Sequence, residues 1–91
     1  MSRVERFGAA CAGHDVELEF DKSRIILNKA VLRVDGELVD VARIFYGEHD
    51  LRMTLDDGTK VVVAVGSGMV GELVRAQLEQ ADGTWLDLTP R

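Results

Sequence analysis

Four stretches of this 91-residue sequence carry side chains capable of chemistry. Cys11-Ala12-Gly13-His14 sets a thiol and an imidazole three positions apart, the residue types of a cysteine nucleophile and its general base. Such a pair needs hydrogen-bond reach and a third group to orient the base. Nothing in the sequence marks that third group, and a glycine- and alanine-rich segment is a poor mount for it. A free cysteine, buried or at the surface, is the simpler reading. His14 and His49, with carboxylates nearby, offer two imidazoles to a metal-dependent hydrolase, yet two scattered histidines lack ligand spacing. Asp56-Asp57 pairs two carboxylates, and turn formation accounts for them. Finally, Gly66-Ser67-Gly68-Met69-Val70-Gly71 matches G-x-G-x-x-G after an apolar run, with Asp87 sixteen residues beyond Gly71. In a dinucleotide site, Gly66, Gly68 and Gly71 would give the tight turn and the approach to pyrophosphate, and the acid would bind ribose. Only twenty residues follow Gly71, too few for a second βαβ half. A glycine-rich bend between strands is the favoured reading, and a nucleotide or small-molecule loop at Gly66–Gly71 the alternative.

Composition narrows the partners. The net charge of −5 argues against a sequence-independent grip on nucleic acid or anionic lipid. Arg24, Arg33 and Arg43 near Phe45 and Tyr46 are interleaved with acids throughout, the pattern of a solvated face. One cysteine excludes an internal disulfide and any multi-cysteine zinc site. There is no apolar run of membrane-spanning length, and Met-Ser-Arg-Val-Glu-Arg lacks a signal peptide's apolar core. The expectation is a cytoplasmic domain, without cofactor or metal. Eight arginines to three lysines, with twelve valines and ten leucines, is a mix typical of GC-rich bacterial genomes.

The elements that must position these residues read as strands. Residues 1–13 form a loosely ordered lead-in, with a short strand near Val4 to Phe7, and residues 14–91 a single β-domain. Val16-Glu17-Leu18-Glu19-Phe20 alternates strictly, the period of a half-buried strand. Leu51, Met53 and Leu55 alternate too, and Val61-Val62-Val63-Ala64-Val65 reads as a strand covered on both faces. Three x-Asp-Gly turns, at Asp35-Gly36, Asp57-Gly58 and Asp82-Gly83, punctuate the chain. A three-residue loop ending on a positive-φ glycine pairs Met53 with Val61, Leu78 with Leu86 and Glu79 with Trp85, sorting apolar from polar. At the Asp35 turn the same loop sets Leu32 against Leu38 but Ala30 against Asp40.

These readings predict an all-β domain, an antiparallel sandwich or meander of six to eight strands. Its core candidates are Val16, Leu18, Phe20, Leu32, Val39, Val41, Leu51, Met53, Leu55, Val61, Val63, Val65, Leu78 and Leu86. The alternative is α+β, with a helix over 69–80 capped by Ser67.

The order of His14-Asp15-Val16-Glu17-Leu18-Glu19-Phe20, Val31-Leu32-Arg33-Val34-Asp35-Gly36, Tyr46-Gly47-Glu48-His49, Thr59-Lys60 and Leu78-Glu79 before Asp82-Gly83 resembles the β-domain of Fas apoptosis inhibitory molecule. That family runs a similar strand, a V-D-G hairpin, a G-K-E turn, a T-K-x strand and an L-E-x-N-G hairpin in the same order. The resemblance implies an all-β sandwich that acts by binding, and it transfers no catalytic residue.

The function expected is a small non-enzymatic binding or protein-interaction domain. Trp85, Tyr46 and Phe45 are the candidate contacts for a protein partner or a second copy. Trp85 falls on the polar face of its hairpin, so either residues 1–13, through Phe7, or another chain should cover it.

Overall fold

The computed structural model describes residues 4–22, 28–44, 46–69 and 72–91, which leaves Phe45 and Gly71 outside the described residues. Its strands follow the chain as β1 (Val4–Cys11), β2 (His14–Asp21), β3 (Asn28–Val34), β4 (Glu37–Ile44), β5 (Gly47–Thr54), β6 (Lys60–Ser67), β7 (Leu73–Glu79), β8 (Trp85–Asp87) and β9 (Thr89–Pro90). They form two antiparallel sheets, ordered β4-β3-β2-β1-β9 and β5-β6-β7-β8. Neighbours in sequence are therefore neighbours in space, apart from β9, which returns to pair with β1. The described residues contain no helix, so the all-β reading holds and the α+β alternative does not. Two very short strands, β8 and β9, lift the count above eight.

Period-two patterning supplies the core. Val16, Leu18 and Phe20 of β2 face Val61, Val63 and Val65 of β6 across the sandwich, in one cluster with Leu32, Leu51 and Leu78. All nine are fully or almost fully buried. Each such side chain contributes about 1.5–3 kcal/mol relative to exposure.

Residues 69–80 admit a helical reading from sequence. Within the described part, Leu78 and Ala76 pair with Val63 and Val65, while Arg75, Gln77 and Glu79 face out. A helix there would strip β6 of a hydrogen-bonded neighbour. Two of the three Asp-Gly turns close as expected. Gly58 (φ 87°) and Gly83 (φ 85°) take the positive-φ position of three-residue loops, giving Met53↔Val61, Leu78↔Leu86 and Glu79↔Trp85.

The third differs. Asp35 (φ 53°) and Gly36 (φ 83°) are both left-handed, which makes a two-residue loop whose twist suits a hairpin. The register then slips between Arg33↔Leu38 and Leu32↔Asp40, leaving Val39 as an extra residue in a β-bulge. The slip reverses the parity of the rest of β4. Ala42 and Ile44 enter the core, and Val41, a core candidate on the uninterrupted pattern, is 40% exposed. Leu86 is likewise exposed, on short β8, and Leu88 fills the core instead.

The lead-in is also more ordered than its composition suggests. Val4–Cys11 is a full strand, paired with β2 through a tight Ala12-Gly13 turn with both residues at positive φ. Alanine is a rare occupant of that position, which hid the hairpin. On the outer face of this sheet, Arg33 and Arg6 share Glu19, and Arg6 also reaches Glu17. Arg91 crosses β1 above Gly8 to grip Asp15 with both terminal nitrogens, and its guanidinium occupies the place where a Gly8 side chain would begin.

Candidate functional site

In an up-and-down chain of hairpins, alternate connections fall at the same end of the sandwich. The β1–β2, β3–β4 and β5–β6 turns therefore share one end, and three of their residues meet. His14 opens β2 on the same face as Val16, Leu18 and Phe20, so its ring projects from the core side of one sheet towards the other. Its Nδ1 lies 2.7 Å from Asp35 Oδ2, in the β3–β4 turn. Its Nε2 lies 2.9 Å from Asp57 Oδ2, in the β5–β6 turn. Asp35 belongs to the same sheet as His14 and Asp57 to the opposite one, so a single imidazole ties the two sheets together.

The chemistry of that arrangement is set by donors. An ionised carboxylate only accepts, and a ring that donates from both nitrogens is an imidazolium. The hydrogen bond to Asp35, then that to Asp57, raises the His14 pKa above its ordinary 6.5. In return His14, together with the Asp15 N–H that donates to Asp35 Oδ1 at 2.8 Å, lowers the Asp35 pKa. His14, followed by the backbone N–H and hydroxyl of Thr59, lowers Asp57 to about 2. Both carboxylates are more than half exposed (55% and 54%), so solvent screens the cluster.

Beside the clasp lies an open cleft of about 360 Å³. Val34, Val39, Met53 and Leu55 form its apolar lining, and Asp35, Glu37, Asp56 and Asp57 its acidic one, with His14 as the only cation of the lining. Val39, the extra residue of the β4 bulge, is partly buried against the core and contributes to this surface.

The other chemistry-bearing residues are dispersed. Cys11 sits opposite His14 in the β1–β2 pairing, half-buried against the core. Both nitrogens of His14 are already engaged by carboxylates. His49 is exposed on β5 opposite Val65, towards the other end of the sandwich. Among the described residues, no group of three or more His, Cys, Asp or Glu side chains is arranged to hold a metal ion. No helix there is long and apolar enough to cross a membrane.

At the glycine pattern, Gly66 is buried within β6, and Gly68 donates its N–H to the Glu72 carbonyl at 2.8 Å. The Glu72 carboxylate fills the space beside Gly68. A strand, β7, follows where a dinucleotide site would begin a helix.

Trp85 is 37% exposed, and the Arg75 guanidinium lies 4.8 Å from its ring centroid. Arg75 is itself fixed by Gln77 and Glu48. Phe7 points into the core-facing layer and does not supply the cover expected of it. Tyr46 is exposed in the β4–β5 connection, at the opposite end from the β7–β8 turn beside Trp85. The two aromatics therefore do not form one surface.

Sequence reasoning passed over the pairing of His14 with Asp35 and Asp57. The signal was present: His14 shares parity with Val16, and hairpin alternation brings the Asp35 and Asp57 turns to its end. No protein-family model, curated protein or solved structure matches the chain.

Proposed function

We propose that this protein is a non-enzymatic binding domain that recognises a protein partner through the cleft at its turn end. The observation that carries the reading is the pairing of an aliphatic lining with four carboxylates on one concave surface made by both sheets. That combination matches lysine or arginine side chains, whose long stems lie on apolar surface while the charged head meets an acid. The reading prefers binding to catalysis because both ring nitrogens of His14, the one imidazole at the cleft, are taken up by carboxylates of neighbouring turns. The resemblance in motif order to a family that acts by binding points the same way, and a cytoplasmic setting belongs to the same proposal.

The test uses two synthetic peptides, one alternating arginine with leucine and one alternating glutamate with leucine, titrated into the ¹⁵N-labelled protein. The arginine peptide is expected to move the amide signals of Val39, Met53 and Leu55, and Asp56→Asn with Glu37→Gln is expected to weaken that response. Equal responses to both peptides, or movement confined to residues outside the cleft, would overturn the proposal.

A further inference from the structure

We infer that the His14 clasp is a proton-operated tie between the two sheets, holding Asp35 and Asp57 together when the ring is protonated and releasing Asp57 when it is neutral. The argument rests on which partners each member has besides the ring. A neutral imidazole has one N–H, so one of the two hydrogen bonds must be given up. Asp35 is bound to His14 within one sheet, at the shorter distance of 2.7 Å. The two hairpins that carry these residues are further locked by Asp15 N–H to Asp35 Oδ1 and by Asp35 N–H to the Asp15 carbonyl, each 2.8 Å. Asp57 is the partner from the other sheet, and its Oδ1 already accepts the Thr59 N–H at 2.9 Å, so it stays anchored to its own turn when the ring lets go of Oδ2. The retained tautomer is therefore Nδ1–H, and the bond lost is the one that spans the sandwich.

The charged groups around the ring reinforce the direction. From the β3–β4 turn and β4 come Asp35 and Glu37, and from the β5–β6 turn Asp56 and Asp57. From β2 itself comes Asp15, whose carboxylate is turned away to Arg91. From β1 comes Cys11, opposite His14 in the pairing. Removing the ring's positive charge leaves Asp35 and Asp57 as like charges on different sheets, with only solvent between them to screen the repulsion. The two turns are expected to part, while each hairpin keeps its own backbone bonds. Any effect of this release on partner binding rests on the cleft being the recognition site; the release itself does not.

The experiment follows the imidazole nitrogens and the backbone amides of the intact chain by ¹⁵N NMR from pH 4.5 to 9, with His49→Asn used to assign the ring signals. Both His14 nitrogens are expected to be protonated at pH 6, with a midpoint above 6.5 and an Nδ1–H tautomer beyond it. The Thr59 and Gly58 amides are expected to move at the His14 midpoint, whereas the Thr84 amide stays still. Asp57→Asn retains the turn's acceptor oxygen and is expected to abolish the Thr59 step while His14 still titrates. A His14 midpoint at or below 6.5, an Nε2–H tautomer, or a Thr59 amide indifferent to His14 would overturn the inference. Failure of the arginine peptide to bind would leave these titrations unaffected, so the two proposals fail separately.

Discussion

Residues 55–59 and 80–84 fold into the same local object and serve the molecule differently. In the first turn Gly58 N–H donates to the Leu55 carbonyl, Leu55 N–H to the Thr59 carbonyl, and Thr59 N–H to Asp57 Oδ1. In the second, Gly83, Gln80, Thr84 and Asp82 repeat each bond in the same order. Both glycines sit near φ 86°, within two degrees of each other. Yet Asp57 reaches across the sandwich to His14, and Asp82 goes no further than the hydroxyl and N–H of Thr84. An Asp-Gly-Thr turn thus specifies its own geometry, and the hairpin's position in the meander decides what else the aspartate does.

The largest way to separate the two hairpins is through the core beneath them. Leu51, behind the first, is fully buried, and Leu86, in the second, is 39% exposed. Leu51→Ala is expected to cost about 2–5 kcal/mol in urea unfolding, and Leu86→Ala under about 1 kcal/mol. Similar costs would mean that β8 is packed far more tightly than its exposure indicates.

Next come the glycines, where the hairpins should behave alike. Gly58→Ala and Gly83→Ala each place a β-carbon in the left-handed region, at about 1–2 kcal/mol. A loss at only one of them would break the equivalence of the two turns.

The carboxylates should part company again with pH. Asp57, lowered to about 2 by His14 and then Thr59, contributes stability that is present above 3.8 and lost as pH falls towards 2. Asp82, lowered by Thr84, contributes on that same acid limb. His14 is raised, so its contribution is full below 6.5 and is lost as pH rises through its higher folded value. Asp82→Asn should therefore flatten only the acid limb of a stability–pH profile, whereas Asp57→Asn should flatten both limbs. Identical profiles for the two variants would detach His14 from Asp57.

The smallest effect belongs to the outer face of the second hairpin. Arg75→Met is expected to cost about 0.5–1 kcal/mol, the worth of an exposed cation–aromatic contact, and to red-shift Trp85 emission. Unchanged emission would show that Arg75 is not what shields the ring.

Much of this organisation can be read from residue types, and the places where it cannot are physically specific. Strict alternation in Val16–Phe20 and Leu51–Leu55 locates two core strands because each of these strands is uninterrupted. The same rule misplaces Val41 because one unpaired residue, Val39, reverses the parity after it, and a bulge leaves no mark in composition. The β1–β2 hairpin escapes notice since Ala12 occupies a left-handed position that turn rules reserve for glycine, asparagine or aspartate. The clasp is a harder case. Its three members lie twenty-one and forty-three positions apart, and each has an adequate local explanation as a turn or strand-end residue. Only the alternation of hairpin ends brings them together.

The pairing of β9 with β1 has a bearing on how the chain folds. Every other strand pairing among the described residues joins consecutive strands, so each of those hairpins closes a short loop and can form early. The Thr89 hydroxyl bonds to the Gly8 carbonyl across 81 positions, and Arg91 N–H bonds to the Arg6 carbonyl, so this last seam must wait for the rest of the chain to assemble. Refolding should show it: amides of the β5–β6 hairpin gain exchange protection first, and that of Arg91 gains it last. When the native fold loosens, the same seam is expected to open first, baring the edge of β1 to water before either sheet loses a hairpin.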